Sequence, residues 1–491
     1  MIKVGVLEND FDLTKEVTRG EFARYIINVL YGKGEFEKAG VTYFTDVSLS
    51  NPYCGAITAC KDLGIINGDG SGNFYPERTI TATESITMLV NALGYKLYAD
   101  SKGGFEAGYL TIAKEAELFK NVEVRGIDKV TGKDAALFIY NALFADIVNV
   151  KSVSPDGFTL EKMPDKNILS EKLSIYEYDG VVTDDGITSI SGNSVSDIER
   201  TVITLYNSEE KVTAYVGETD INSHLGERVR VFIRFNKDSG KNEVVYYGIS
   251  KKMECVTLVS ENVIGATSDY IEYEDGENSD SVKYSISGIA PIVVVNGIKK
   301  TSYNESEFIR KNSLLKLIDV DNDGSYETII ILDFNKNGVT RNIVVDSVDM
   351  ANEYIKCRFS PVNTLDYDSD KNIIRFSWES DVKSIEEIQQ NDIVSIAMAD
   401  VTYRDKNIYT LSVKRNQSTG KMTVYTDGSV YINDTEIKVS DSIYSVKPNC
   451  IELIAIGSEI TYMLDATGKI AYIVNPNVSK IPYAYLIRTG S

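Results

Sequence analysis

Val17-Thr18-Arg19-Gly20-Glu21, followed by a mostly apolar run to Leu30, opens a pattern that occurs three times in the first third of the chain. The other two copies begin with Ile80-Thr81-Ala82-Thr83-Glu84 and with Val130-Thr131-Gly132-Lys133-Asp134. In every copy the acidic residue precedes an asparagine by seven positions. Repetition at intervals of 63 and 50 residues predicts an array of similar helical units.

Each copy carries the signature of a helix start. A threonine followed three residues later by a carboxylate is typical of a capping box, in which the two side chains satisfy exposed backbone N–H groups. We therefore predict helix-capping roles for Thr18 with Glu21, Thr81 with Glu84 and Thr131 with Asp134. Arg19 and Lys133 would then lie at helix N-termini, where the helix dipole favours anions. Arg19 is the stronger candidate for an anion site, and the alternative is an ordinary surface charge.

The segment around the second copy carries further signals in a fixed order. They are Tyr43-Phe44-Thr45-Asp46-Val47, Leu63-Gly64-Ile65-Ile66-Asn67-Gly68 and the turn Asp69-Gly70-Ser71-Gly72-Asn73-Phe74-Tyr75-Pro76. Together with the helix start that follows, this order resembles the S-layer homology domain. The resemblance implies a pseudo-threefold helical region of repeats 1–40, 41–97 and 98–148, on the envelope of a Gram-positive, clostridial-type bacterium.

The resemblance also implies a ligand, because members of the family hold a secondary cell-wall polymer in grooves between repeats. Those grooves use the cation of the helix-start motif, the aspartate of the opening motif and turn glycines. The matching residues here are Arg19, Asp46, Gly68 and Lys133. Ala82 and Gly132 stand at the cation position of the other two copies, with Lys133 displaced by one, and Tyr53 replaces a tryptophan. The region is expected to be mainly a structural base or to retain one binding groove.

The phase of the repeats bears on where the natural chain begins. The second copy has about twenty residues before Leu63-Gly64-Ile65, whereas the matching Val4-Gly5-Val6 stands almost at the start of the sequence. We therefore expect the natural protein to extend upstream with a leading helix and an export signal.

Composition limits the classes of function. The chain has 491 residues, 43% of them hydrophobic and 25% charged, which is typical of a globular protein with about three to five domains. Its net charge of −21 makes nucleic acid an unfavourable partner. With His224 as the only histidine, sites that need two imidazoles are excluded. No apolar run of about eighteen residues occurs, so no membrane span is expected.

The remainder of the chain has a different pattern. From about residue 165 onward, short alternating segments separated by polar turns predict antiparallel strands. We predict a linker at 149–168 and three to four small barrel-like or sandwich-like β modules, at 169–251, 252–336, 337–415 and 416–491. The predicted fold class is thus a multidomain chain, helical first and β afterwards.

One turn in the second β module has the composition of a metal site. It reads Asp319-Val320-Asp321-Asn322-Asp323-Gly324-Ser325-Tyr326-Glu327. Carboxylates at alternate positions around a glycine converge on one point, and hard oxygen ligands suit Ca²⁺. Position twelve of the loop is Ile330, so the loop is not an EF-hand. We predict that Asp319, Asp321, Asp323 and Glu327 bind calcium, with an ordinary solvated turn as the alternative.

Three functional classes are compatible with these patterns. The first is a structural protein of the cell wall that assembles with copies of itself into a surface lattice or filament. The second is a surface-anchored adhesin, and the third is an enzyme acting on cell-wall or other polysaccharides. No Ser-His-Asp, Cys-His, phosphate-loop or dinucleotide fingerprint occurs in the sequence. The structural class is therefore preferred, and no catalytic residue is predicted.

Overall fold

The structure is a computed structural model, and its chain divides into two compact units. It describes residues 1–34, 36, 40–154, 157–192, 197–237, 239–274, 281–287, 291–336, 339–359, 364–426, 428–444, 451 and 454–474. The first unit comprises Met1–Tyr178, Ala214–Thr219 and Arg230–Gly248. The second unit comprises Asp179–Thr213, Asp220–Val229 and Ile249–Ser491. Residues 475–491 of the predicted fourth module lie outside the described residues.

The α-helices of the described residues all belong to the first unit, whereas the second unit has short 3-10 helices such as Glu305–Ile309. The α-helices are α1 (Arg19–Tyr31), α2 (Cys54–Asp62), α3 (Ala82–Ala92), α4 (Lys96–Ser101), α5 (Ala107–Glu115), α6 (Gly132–Phe144) and α7 (Ile168–Glu171). The three helices that follow the repeated motif, α1, α3 and α6, contact one another, while α2 packs on α1 and α5 packs on α3. Phe22, Ile86 and Phe138 from these three helices are fully buried in one shared apolar core.

The residues just before α1, α3 and α6 form a closed ring of backbone hydrogen bonds. The N–H of Val17 donates to the carbonyl of Val130 at 2.9 Å, and that of Val130 donates to Ile80 at 3.0 Å. The N–H of Ile80 donates to Val17 at 3.0 Å, which completes the cycle. All three side chains are at most 4% exposed. Each copy of the motif therefore contacts both of the others at the same position.

A β hairpin follows the helices within the first unit. It consists of β1 (Asp146–Ser154) and β2 (Gly157–Asn167), which pair antiparallel. The predicted linker at 149–168 thus forms most of this hairpin. The reason is visible in the sequence 146–154, where four β-branched residues (Ile147, Val148, Val150 and Val153) favour an extended strand over an irregular connection.

The β region contains two closed barrels. The first is formed by β3 (Ile175–Asp184), β4 (Arg200–Leu205), β5 (Lys211–Tyr215), β6 (Arg228–Asn236) and β7 (Lys241–Ile249), in the order β3-β4-β5-β7-β6. The division between the two units passes through its strands. The bounds of the next strands are β8 (Glu254–Val259), β9 (Val263–Ala266), β10 (Tyr270–Tyr273), β11 (Val282–Ile286), β12 (Ile292–Val295), β13 (Ile298–Lys299), β14 (Ser313–Asp319), β15 (Ser325–Tyr326), β16 (Thr328–Asp333), β17 (Asn335–Lys336) and β18 (Val339–Thr340).

Strands β8 to β18 form a four-stranded sheet (β15-β11-β10-β9), a five-stranded sheet (β13-β12-β16-β14-β8) and the pair β17-β18. Strand β14 lies between β16 and β8, and every one of its residues is buried. Its apolar run Leu314-Leu315 and Leu317-Ile318 explains that central position, since a strand covered on both faces needs apolar side chains on both. Lys316, in the middle of the run, is only 6% exposed.

The last strands form one open sheet and the second barrel. Their bounds are β19 (Asn342–Asp349), β20 (Tyr354–Cys357), β21 (Leu365–Asp366), β22 (Asn372–Phe376), β23 (Ile393–Met398), β24 (Asn407–Lys414), β25 (Gln417–Thr426), β26 (Ser429–Ile432), β27 (Thr435–Tyr444), β28 (Glu459–Leu464) and β29 (Ile470–Ile473). The open sheet has the order β21-β20-β19-β23-β24-β22, and the barrel has the order β25-β26-β27-β29-β28. Among the described residues, no helix combines the length and the apolar character needed to cross a membrane. The chain is thus a few N-terminal helices followed by a mostly β region.

Candidate functional site

The three helix starts have the same capping geometry. In the first, the N–H of Glu21 donates to Oγ1 of Thr18 at 3.2 Å and the N–H of Thr18 donates to Oε2 of Glu21 at 2.8 Å. The same reciprocal pairs join Thr81 with Glu84 and Thr131 with Asp134. These bonds satisfy N–H groups that a helix start otherwise leaves exposed.

The backbone N–H of the first helical residue in each copy also has a hydrogen-bond acceptor, which is a backbone carbonyl of a neighbouring loop. Arg19 donates its backbone N–H to the carbonyl of Arg78 at 2.9 Å, and Ala82 donates to Asp128 at 3.0 Å. Gly132 donates to Lys15 at 2.8 Å. Because these groups already have acceptors, an anion held at a helix start would have to be bound by side chains.

Arg19 links the first copy to the second. Its Nε donates to the carbonyl of Phe74 at 2.9 Å, and its guanidinium carbon lies 4.6 Å from the centre of the Phe74 ring. Its Nη1 lies 3.0 Å from Oε1 of Glu84, and its side chain is only 12% exposed. Burial lowers the pKa of Arg19, while the Glu84 charge works against that shift. Burial would raise the pKa of Glu84, but Arg78 and Arg19 hold it below its ordinary value.

Asp46 and Gly68 shape the turn that Arg19 contacts. The two carboxylate oxygens of Asp46 accept the N–H groups of Phe74 and Tyr75, at 2.8 and 2.6 Å. Gly68 faces the same turn so closely that a Cβ there would lie 2.8 Å from the carbonyl oxygen of Asn73 and 2.9 Å from the Phe44 ring. Arg19, Asp46 and Gly68 therefore converge on one turn between the first and second copies.

Lys133, the fourth predicted residue, lies elsewhere. It is exposed in the first turn of α6, and its backbone N–H donates to the carbonyl of Leu13 at 2.8 Å. It therefore belongs to the junction of the third copy with the first, and the structure does not bring it to the turn contacted by Arg19.

Sequence reasoning missed a cleft beside α1. The cleft has a volume of about 240 Å³, and its lining includes Glu8, Arg24, Asn28, Lys33, Phe36 and Pro52. Nε of Arg24 is buried and has no hydrogen-bond partner among the described residues. The Arg24 guanidinium carbon lies 5.0 Å from the centre of the Tyr53 ring, and Lys33 pairs with Glu8. The available signal was weak: Arg24 is a lone cation in the apolar run of the first copy.

The acidic turn in the second unit brings its four predicted ligands together. Asp319, Asp321, Asp323 and Glu327 each offer a carboxylate oxygen, and these oxygens all lie within 4.8 Å of one another. Calcium–oxygen distances of about 2.3–2.6 Å place ligands on opposite sides of the ion roughly 5 Å apart, so the spacing fits this cation. Asp319 is fully buried, and burial together with the charges of Asp319 and Asp321 raises the pKa of Glu327.

Local hydrogen bonds also hold the acidic turn. Oδ1 of Asp319 accepts the N–H groups of Asp321, Asn322 and Asp323, and its Oδ2 accepts that of Gly324 at 2.8 Å. The carboxylate of Asp319 thus organises the loop, while those of Asp321 and Asp323 are exposed. Oδ1 of Asp323 accepts the N–H of Ser325 at 2.8 Å, and Oδ2 of Asp321 lies 3.5 Å from the Tyr206 hydroxyl, so the exposed carboxylates also take part in local hydrogen bonds.

Part of the first unit matches a known protein family. Residues 43–81 match the family described as the S-layer homology domain. That span contains Asp46, Gly68 and the turn that both residues hold. The chain therefore carries an S-layer homology domain at residues 43–81.

Relatives extend the comparison to most of the chain. Over 530 aligned residues the chain is 22% identical to the surface layer protein of Brevibacillus choshinensis, covering 96% of this chain and 46% of the relative. It is 23% identical to a cell surface protein of Thermoanaerobacter kivui, covering 96% of this chain and 65% of the relative. It therefore spans less than two thirds of both relatives. A third match, 35% identical over 88 residues to exoglucanase XynX of Acetivibrio thermocellus, covers 18% of this chain and 8% of that enzyme.

Proposed function

We propose that this chain is a structural protein of the bacterial cell surface. The helical unit anchors it to a secondary cell-wall polymer, and the β region contacts neighbouring copies in a lattice or filament outside the cell. The observation that carries the proposal is the closed ring joining three copies of one helix-start motif, the second of which begins within the segment 43–81 that matches the S-layer homology domain. Similarity over 96% of the chain to proteins named for the cell surface supports it.

The proposed architecture is a pseudo-threefold helical prism followed by four β modules. Support for the prism comes from the cyclic hydrogen bonds of Val17, Ile80 and Val130, because each copy donates one of these bonds and accepts another. Support for the modules comes from strand order. The strands of the first barrel fall within 169–251, those of the open six-stranded sheet within 337–415 and those of the second barrel within 416–491.

The proposed polymer site lies between the first and second copies. Arg19, Asp46 and Gly68 define its turn, and the cleft beside α1 adds Arg24 next to Tyr53. A polymer that carries carboxylates would accept hydrogen bonds from a guanidinium, and the pairing is strongest where water is excluded. Arg24 is the better placed of the two cations, because its Nε is buried and unpaired among the described residues. Lys133 is proposed as a second, separate contact at the junction of the third copy with the first.

A calcium ion at the acidic turn is a further part of the proposal. The support is the spacing of the four carboxylate oxygens and the charge repulsion that a cation would remove. The turn directly follows the central strand β14, so an ion there would stiffen one end of the five-stranded sheet.

A structural role is preferred over an enzymatic one. The relatives that cover nearly the whole chain are named as surface proteins, whereas the match to an exoglucanase is confined to 88 residues. That partial match is what two proteins would share if they had only an anchoring segment in common.

The anchoring proposal is tested by sedimenting the full chain with Gram-positive cell-wall sacculi, before and after acid extraction of the secondary polymer. Binding should depend on the polymer, and Arg24→Ala should weaken it about tenfold or more, the loss expected for a hydrogen bond to a charged group. Arg125→Ala is the matched control, since Arg125 has an 80% exposed side chain and lies outside the cleft. Equal binding to extracted sacculi would refute polymer anchoring.

Electron microscopy of the purified protein tests assembly into a lattice or filament, and persistent monomers under all ionic conditions would refute assembly.

A further inference from the structure

Three buried ion pairs join distant segments of the second unit. They are Lys316 with Glu227, Arg375 with Asp185 and Lys469 with Glu261. The third pair differs from the others, because Nζ of Lys469 also contacts the side-chain carbonyl oxygen Oδ1 of Asn312. Within the described residues, the first two pairs have no side-chain carboxamide in contact with the cation.

Local structure explains why these three groups meet. Strands β8 and β14 are antiparallel neighbours; Glu261 lies two residues after the end of β8, and Asn312 immediately precedes β14. The backbone N–H of Asn312 donates to Oε1 of Glu261 at 2.7 Å, which fixes the two residues together. Lys469 stands immediately before β29, in a turn held by its N–H bond to Asp465 Oδ1 at 3.1 Å. The lysine thus approaches from the second barrel, and its two partners lie at the adjacent ends of β8 and β14 in another sheet.

The carboxamide of Asn312 is oriented and shielded. Its nitrogen Nδ2 donates to Oδ1 of Asn335 at 2.9 Å, which leaves Oδ1 and the carbonyl carbon Cγ on the side of Lys469. Asn312 is only 2% exposed, and the side chains of Lys469 and Glu261 are 11% and 8% exposed. Neighbouring Leu314 and Phe334 belong to a buried apolar cluster, so water is largely excluded.

We propose that Lys469 and Asn312 form an intramolecular isopeptide bond, with Glu261 carrying the proton. A neutral amine is a nucleophile toward a carbonyl carbon, and an adjacent carboxylate activates it by taking its proton. A bond forms between Nζ of Lys469 and Cγ of Asn312, while the bond between Cγ and Nδ2 breaks. Glu261 accepts a proton from Nζ and returns one to the departing nitrogen.

The reaction is balanced without any added reagent. A primary amine and a primary carboxamide give a secondary amide and one molecule of ammonia, and no atom changes its oxidation state. If Lys469 begins as the ammonium, one further proton is released to the solvent. The cross-link would connect residues 157 positions apart in the sequence and tie the second barrel to the sheet that contains β14. It does not depend on polymer binding by the helical unit.

Mass spectrometry of the purified full chain tests the bond. The intact mass should be lower than the sequence mass by one ammonia, and a tryptic digest should contain a branched peptide joining the segments of Asn312 and Lys469. A mass equal to the sequence mass would overturn the proposal. Loss of ammonia without the branched peptide would mark a succinimide at Asn312 and would also overturn it.

Variants assign the role of each residue. Lys469→Arg should abolish the branched peptide and restore the full mass, because arginine is not a nucleophile here. Glu261→Gln should slow cross-linking about a hundredfold or more, the range typical of a lost general base. Lys316→Arg is the matched control, since Lys316 is also buried beside a glutamate. A branched peptide that persists unchanged in Glu261→Gln would overturn the role of Glu261, and loss of the peptide in Lys316→Arg would count against a local reaction.

Discussion

Replacing Gly132 by alanine tests whether the third copy of the motif is held against the first as the structure has it. A Cβ at this position would lie 2.0 Å from the carbonyl oxygen of Asp12 and 3.0 Å from Cα of Leu13. Both contacts are with backbone, so a side-chain rotation cannot relieve them. The N–H groups of Gly132 and Lys133 donate to the same stretch of the first copy, and displacing it would lengthen those bonds.

The magnitude follows from two opposing effects. Overpacking a tight site costs about 1–3 kcal/mol, and a 2.0 Å approach to backbone belongs at the upper end. Alanine has a better helix propensity than glycine, which returns at most about 1 kcal/mol. The net free-energy loss is therefore about 2 kcal/mol, or a fall in melting temperature of roughly 4–8 °C for a unit of this size.

Thermal unfolding followed by circular dichroism at the helical band measures this loss. Gly40→Ala is the matched control in the same unit, because a Cβ at Gly40 meets no atom of the described residues within 4 Å. That variant should melt within about 0.5 kcal/mol of the parent, as surface changes usually do. If Gly132→Ala and Gly40→Ala melt alike, the close junction between the third and first copies is refuted.

Three further outcomes are expected. Because the pKa of Glu84 is lowered in the folded state, the ionised carboxylate stabilises the fold above its unfolded pKa, and this stabilisation is lost as the pH falls through the folded pKa. The difference in melting temperature between the parent and Glu84→Gln at pH 7 should therefore vanish in acid. Asp321→Ala combined with Asp323→Ala should lower the melting temperature in calcium and leave it unchanged in chelator; a parent that melts equally in both would contradict a calcium site. Lys316→Met should cost at most about 3–5 kcal/mol in chemical denaturation, because the buried Glu227 then keeps only His224 as a side-chain partner among the described residues. Adding Glu227→Met should recover most of that loss, and no recovery would contradict the pairing.

Features set by neighbouring residues could be predicted from the sequence. Helices α1, α3 and α6 begin one residue after Thr18, Thr81 and Thr131, because a capping box is complete within four residues. The change from helices to strands is also visible in the periodicity, but the sequence placed the first strand near residue 165, after a linker, whereas β1 begins at Asp146. The four carboxylates of the acidic turn lie within nine residues, so their convergence also follows from local sequence.

Features that join distant segments could not be predicted. The sequence predicts Arg19 as a candidate for an anion site at a helix start, yet its carboxylate partner Glu84 is a capping residue of the next copy. Nothing in the spacing of Glu261, Asn312 and Lys469 indicates contact, since the lysine is 208 and 157 positions away from the other two. Such pairings depend on how sheets and loops pack, which alternation alone does not determine.

The capping carboxylates of the three copies differ in their cationic partners. Glu21 pairs with Lys15 at 2.9 Å, and Glu84 lies between Arg19 and Arg78. Asp134 has no ion pair among the described residues and instead accepts the hydroxyl of Thr131 at 2.6 Å. The second helix start is thus the most strongly reinforced by charge, and it adjoins the turn held by Asp46.

This difference bears on which cation an acidic polymer would engage. To bind through Arg19, a polymer carboxylate would have to share a guanidinium that already serves Glu84 and the carbonyl of Phe74. Removing Arg19 from Glu84 would leave a largely buried carboxylate with only Arg78, which costs stability. Arg24 contacts the Tyr53 ring but has no carboxylate partner among the described residues, its Nε is unpaired there, and the residue lines the cleft beside α1. Arg19 is therefore expected to shape the groove, and Arg24 to make the contact that distinguishes a charged polymer from a neutral one.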